Sequence, residues 1–165
     1  MNYSLFKNIT TFIFDVDGVF TNSEVIVMEN GDLLRTMNTR DGQAVKIALD
    51  AGFHIAIITK GLSEGVRKRF QLLGISHIYD KQKEKESAFD DIVTKLNLKR
   101  EEILFMGDDI PDLVLYDKVA ISATPSDGAM ENLQRAKFIA SKKGGDGCVR
   151  EVIEKVMRLQ GKWIF

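Results

Sequence analysis

Two short acidic stretches and two single polar residues carry the chemistry open to this chain. Asp15-Val16-Asp17-Gly18 places two carboxylates two residues apart, directly after the apolar run Thr11-Phe12-Ile13-Phe14. Gly107-Asp108-Asp109-Ile110-Pro111-Asp112 follows a second run, Ile103-Leu104-Phe105-Met106. Carboxylates at the ends of buried strands are costly to ionise unless something neutralises them. A hard cation such as Mg2+ suits them, because it takes oxygen ligands and keeps waters for a phosphate. Alone, the Asp pair also fits a turn or a helix start, and Gly-Asp-Asp is a weak signal. Together, at two strand ends, they point to a magnesium site. Thr59 closes a third run, His54 to Ile58, and Lys85 opens a helical pattern after Tyr79. A hydroxyl and an ammonium are the donors that phosphoryl oxygens require. Each has an ordinary alternative: Thr59 as a helix cap, and Lys85 as one of Lys81, Lys83 and Lys85 on a solvated helix. Spacing does not choose among the three lysines.

The elements that must hold these residues follow from hydrophobic pattern. The three runs above, with Val119-Ala120-Ile121 and Phe138-Ile139-Ala140, are short and lack polar alternation, as strands buried on both faces do. Between them lie helical faces: Ala44 to Leu49 ending before Gly52, Val66-Phe70-Leu73 stopping at Gly74, Ala88-Ile92-Val93-Leu96 with Ser87 as a cap, and Val149 to Met157. Such alternation predicts an α/β fold, a doubly wound parallel sheet. One segment breaks it: Val25 to Met28 and Leu33 to Met37 flank Asn30-Gly31 and read as a β-hairpin beside the carboxyl edge of the sheet, where open α/β folds bind ligands.

Composition sets the frame. The 165 residues suit one domain spanning 1–165, and Lys+Arg 23 against Asp+Glu 24 gives no positive field for a nucleic-acid partner. One cysteine, Cys148, excludes an internal disulfide, and with two histidines makes a zinc cage improbable. The sequence lacks an apolar run long enough to span a bilayer or serve as a secretory h-region, so no membrane partner and a cytoplasmic location are expected.

The order Asp15-x-Asp17, Thr59, Lys85, Gly107-Asp108-Asp109 with Asp112 resembles the four motifs of the haloacid-dehalogenase-like (HAD) phosphotransferase superfamily, over nearly the whole chain. That resemblance implies a Rossmann-like core. Asp15 is then the nucleophile that forms an aspartyl-phosphate, Asp17 the general acid/base, and Thr59 and Lys85 the grip on the phosphoryl group. It implies Mg2+ held by Asp15, the Asp17 carbonyl and Asp108, with Asp109 and Asp112 beside it. The intervals between motifs hold only the hairpin, single helices and a strand, so no cap domain is expected and a neighbouring subunit is the economical lid.

Size and layout further resemble the capless 3-deoxy-D-manno-octulosonate 8-phosphate phosphatase family. The features are Asn38-Thr39-Arg40-Asp41-Gly42, Val66 with Arg69, Ser87-Ala88-Phe89, which selects Lys85, Gly144 to Glu151, and the tail Gln160-Gly161-Lys162-Trp163. The implied reaction releases phosphate and the sugar acid, KDO, a step in lipopolysaccharide precursor synthesis, and the implied assembly is a homotetramer. The small-molecule substrate is anionic at both ends. Asn38, Arg40, Asp41, Gly42, Lys60 and Arg69 are therefore the implied binding residues, with Arg67 and Arg150 as further guanidinium candidates. One departure stands out: Thr59-Lys60-Gly61-Leu62 lacks the arginine that family carries after Thr-Gly, and also lacks the acidic residue of nine-carbon sialic-type acid 9-phosphate phosphatases. A receiver-like signalling domain is the non-enzyme alternative, but there the acidic pair comes before the phosphorylated Asp, not last.

Overall fold

The computed structural model describes residues 3–165. Six strands form one parallel sheet: β1 (Thr11–Phe14), β4 (His54–Ile58), β5 (His77–Tyr79), β6 (Ile103–Met106), β7 (Ile121–Thr124) and β8 (Phe138–Ile139). Their order is β5-β4-β1-β6-β7-β8, so the chain winds outward in both directions from β1. The expected doubly wound sheet is present, with no cap domain among the described residues. The short β2 (Ile26–Val27) and β3 (Leu33–Leu34) form a separate antiparallel hairpin.

The sheet is buried on both sides because successive side chains point to opposite faces. Phe12 and Phe14, Ile55 and Ile57, Leu104 and Met106 share one core with α1 (Thr39–Asp50), α2 (Glu64–Leu72) and α6 (Cys148–Leu159). Ile13, Ala56, Ile58, Ile103 and Phe105 share the other with α3 (Lys85–Lys95) and α4 (Leu113–Tyr116). On α6, Val149, Val152, Ile153, Val156 and Met157 are all fully buried, the stripe its spacing predicts.

Several details differ from the sequence reading. The strand expected at 119–121 runs instead from Ile121 to Thr124, and takes in polar Ser122 and Thr124, both buried. Ser122 stays satisfied because its Oγ accepts the Lys137 N–H at 3.2 Å. Ser87 lies inside α3 with its Oγ donating to the Glu84 carbonyl, and Glu84 occupies the cap position. The hairpin is shorter than expected, and β5 and the helices α4 and α5 (Met130–Arg135) add elements the periodicity did not predict.

Candidate active site

Adjacent strands β4, β1 and β6 deliver Thr59, Asp15 and Gly107-Asp108 side by side at one sheet edge, the point where the winding reverses. The Asp15 N–H bonds the Met106 carbonyl at 3.0 Å, which ties the acidic loop after β1 to the strand beneath the second cluster. Gly18 then turns the chain at φ +80, and a Cβ there would strike the Asp108 carboxylate. The first Asp loop and the second thus pack against each other.

Lys85 Nζ donates to Asp112 Oδ1 at 2.5 Å and to Asp15 Oδ2 at 2.8 Å, with its side chain 2% exposed. Asp112 Oδ2 accepts the N–H groups of Asp108 and Asp109 at 3.0 and 3.2 Å. Both Asp112 oxygens are therefore committed to holding the site. Asp15 Oδ1, by contrast, is buried without a hydrogen-bond partner. Carboxylate oxygens of Asp15, Asp108 and Asp112 lie within 4.8 Å of one another. Burial, then Asp112, push the Asp15 carboxyl up to about 6, against the pull of Lys85. Burial, Asp15 and Asp112 push Asp108 up to about 7. Burial lowers the Lys85 ammonium, but Asp15 and Asp112 outweigh it and hold its pKa above the ordinary value. One buried cation among three crowded carboxylates leaves an excess of negative charge, and the Asp15 oxygen without a hydrogen-bond partner offers a ligand atom. These residues fit a hard divalent cation.

The site opens as a pocket of roughly 260 Å³ lined by Asp15, Asp17, Ser23, Thr59, Lys60, Gly61, Lys85, Asp108, Asp109, Pro111 and Asp112. Thr59 is buried, and its Oγ1 accepts the Gly61 N–H at 3.1 Å, which leaves its own proton for an anion in the pocket. Behind the second acidic loop, Tyr116 Oη donates to the Gly107 carbonyl at 3.0 Å, and Asn132 Nδ2 donates to the Asp109 carbonyl and to Tyr116 Oη, both at 3.0 Å. Spacing gave no hint of this support.

Of the residues singled out in the sequence, the structure brings Asp15, Asp17, Thr59, Lys60, Lys85, Asp108 and Asp109 around this pocket. Asp109 lies outside the three-carboxylate cluster; Asp112 takes that place, because the turn after Asp109 swings it inward to cap the loop. The Asp17 carboxylate turns to Arg35, a residue the sequence reading missed, with Nε to Oδ1 at 2.7 Å.

The other expected substrate residues do not line this pocket. Asn38 caps α1, its Oδ1 accepting the Arg40 N–H at 2.8 Å, and both face a groove of roughly 820 Å³ beside α6. Gly42 gives close approach to Arg69, where a Cβ would meet Nη2 at 2.8 Å. Arg69 lines a groove between the hairpin and α2. Asp41 is fully buried, and its Oδ1 accepts the Arg150 N–H at 2.7 Å at the start of α6. Within this chain, then, Asp41 ties the start of α1 to the start of α6, and its Oδ2 is buried without a hydrogen-bond partner.

Burial raises the Asp41 carboxyl to about 6 despite the Arg150 N–H. A folded-state value above the unfolded one means that Asp41 stabilises the fold in acid and loses that contribution as pH rises through about 6. Asp41→Asn keeps the acceptor and removes the charge. Its stability relative to wild type should climb by about 3 kcal/mol between pH 4 and pH 8. Parallel urea-unfolding curves for the two proteins across that range would contradict the account.

No family model matches the chain. It is 36% identical over 156 residues to 3-deoxy-D-manno-octulosonate 8-phosphate phosphatase of Escherichia coli K12, covering 94% of this chain and 83% of that protein. The crystal structure of the phosphatase of that name from Yersinia pestis superposes with TM-score 0.95 at 30% identity, covering 97% of this chain and 86% of that one. The Moraxella catarrhalis phosphatase, solved with magnesium, phosphate and KDO, superposes with TM-score 0.94 at 30% identity, covering 98% and 92%. Sequence and fold agree over nearly the full length, and the chain belongs to the 3-deoxy-D-manno-octulosonate 8-phosphate phosphatase family of HAD-like proteins.

Proposed function

We propose that this chain hydrolyses the phosphomonoester of 3-deoxy-D-manno-octulosonate 8-phosphate to KDO and phosphate. The observation that carries the reading is the buried Asp15 carboxylate, with one oxygen on Lys85 and the other unpartnered, beside Asp108 at the switch point of the sheet. Asp15 attacks phosphorus in line and forms an aspartyl-phosphate, while the departing sugar alkoxide takes a proton from Asp17. Asp17, now a carboxylate, removes a proton from water, which attacks the phosphorus and returns Asp15 free. The Thr59 hydroxyl and Lys85 ammonium hold the phosphoryl oxygens. Mg2+ bound by Asp15 and Asp108, with the Asp17 carbonyl, would neutralise charge gathering on those oxygens. Asp109 and Asp112 lie beside that position and orient the loop that carries Asp108.

Lys60 lines the pocket and Arg69 the groove between the hairpin and α2, and these two are the cations we assign to the substrate's anionic ends. Asn38 and Arg40 serve the substrate only where a second copy brings the groove beside α6 to the acidic pocket. The hairpin supports a homotetramer. Ile26, Val27, Leu33 and Leu34 are 47–69% exposed on two strands with free outer edges, a surface that calls for a partner. Among the described residues no helix is long and apolar enough to cross a membrane. The single buried thiol suits a reducing cytoplasm, where we place the protein as one domain over 1–165.

The testing experiment is steady-state phosphate release with Mg2+ from the octulosonate 8-phosphate and from nine-carbon sugar-acid 9-phosphates. The eight-carbon substrate should have a kcat/KM about tenfold or more above the others, and chelation should abolish turnover. Equal rates on unrelated esters would mark a broad phosphatase. Sedimentation at micromolar concentration should give four subunits, and a monomer would sink the subunit-as-lid argument.

A further inference from the structure

Every residue from Asn22 to Leu34 is exposed, and Arg35, the residue just after β3, is drawn inward until its side chain is 10% exposed. All three guanidinium nitrogens are engaged. Nε donates to Asp17 Oδ1 at 2.7 Å and Nη2 to Asp17 Oδ2 at 3.3 Å, while Nη1 donates to the Leu33 carbonyl at 3.3 Å. Arg35 is therefore a strut between the hairpin backbone and one carboxylate at the edge of the pocket. Among the described residues, Arg35 supplies both hydrogen bonds to that carboxylate.

We propose that Arg35 is the positioning residue for Asp17, and that through it the hairpin sets the direction in which Asp17 exchanges its proton. This rests on the reading of Asp17 as the acid/base of the phosphatase. Asp17 sits on a loop, with its side chain 38% exposed and free to rotate about its terminal bond unless something holds it. The fork fixes the carboxylate plane by two bonds at once, which a single ammonium does not do. It occupies one acceptor direction on each oxygen and leaves another on each for the leaving oxygen or for water. Gly61 keeps the neighbourhood clear: a Cβ there would lie 3.1 Å from Asp17 Oδ2 and 3.8 Å from Arg35 Nη2. As a purely structural ion pair it would contribute little, because its Asp17 end is 38% exposed to solvent. Orientation is where its effect lies, since a displacement of about 1 Å in a reacting group can cost roughly 100-fold.

The experiment compares kcat/KM for an alkyl phosphate, the sugar-acid phosphate, with kcat/KM for 4-nitrophenyl phosphate. Both report the steps through departure of the leaving group. The alkoxide needs a proton from Asp17, and the nitrophenolate does not. Arg35→Met should lower kcat/KM for the alkyl ester by about 30-fold and for the nitrophenyl ester by less than about threefold, with the melting temperature and Mg2+ affinity of wild type. Arg35→Lys keeps the charge without the fork and should recover only part of the alkyl loss; it also carries the test if the Met variant does not fold. Equal losses on both esters, or none on either, would overturn the proposal. Asp17→Asn separates the two readings. If it loses the alkyl ester while the Arg35 variants keep it, positioning fails alone; if it keeps the alkyl ester, the acid/base reading fails.

Discussion

Asp15→Asn is expected to lower turnover by about 10⁴-fold or more while the protein remains folded. The amide is nearly isosteric with the carboxylate but cannot displace an alkoxide from phosphorus, so the two-step route through a covalent intermediate closes. Folding should not suffer. In the wild type the Asp15 carboxyl is buried, crowded by Asp112 and pushed up to about 6, so its charge opposes the fold at neutral pH. The amide removes that charge and leaves Lys85 paired with Asp112 at 2.5 Å. Melting at pH 8 should therefore be equal to or above wild type, a pattern opposite to that of a damaged core. The decisive measurement is rapid quench with labelled substrate. Wild type should show protein-bound phosphate within one turnover and the variant none. Activity within tenfold of wild type would remove Asp15 from the nucleophile role.

What the sequence revealed and what it hid have physical reasons. Strands β1, β4 and β6 are covered on both faces, so they read as unbroken apolar runs, and the residues just after them inherit a known place at the sheet edge. Asp15, Thr59 and Asp108 were legible for that reason. Strand β5 was not: His77, Ile78 and Tyr79 are all half-buried at the sheet margin, and three residues make no pattern. Strand β7 was misplaced because Ser122 and Thr124 are polar and buried, a combination hydropathy cannot read. Motif spacing could say that Asp109 and Asp112 lie near the metal. It could not say which would turn inward, since that depends on the turn at Ile110-Pro111-Asp112 and on Lys85 arriving from the start of α3. Arg35 was invisible because its meaning lies in a pairing across 18 residues of chain, made by a hairpin with no core of its own. Asp41 is the converse case: in sequence it resembles a site residue, and its burial against the start of α6 could not be read from spacing.

Lys85→Met should show how much of the site is held together by one charge. The methionine fills much of the same volume but leaves Asp15 and Asp112 facing each other in a buried space without their shared cation. Removing one partner from a buried ion pair costs about 3–5 kcal/mol, far more than the net worth of the pair. Turnover should fall by about 10³-fold, because the phosphoryl group loses a donor where its charge develops. The pH dependence carries the argument. Without Lys85 the Asp15 carboxyl is pushed further above its ordinary range, so the variant keeps its stability in acid, where that group is protonated, and loses it as pH rises through the elevated value. The gap in unfolding free energy between variant and wild type should therefore widen from pH 5 to pH 8. Added Mg2+ should narrow it again, since a divalent cation among Asp15, Asp108 and Asp112 supplies the positive charge the variant lacks, and any ligand that prefers the folded state raises its melting point. A larger Mg2+-induced rise in melting temperature for the variant than for wild type is the result that separates electrostatic neutralisation from simple packing. If the two proteins respond to Mg2+ and to pH alike, Lys85 is a space-filling residue, and the charge balance assigned to this pocket is mistaken.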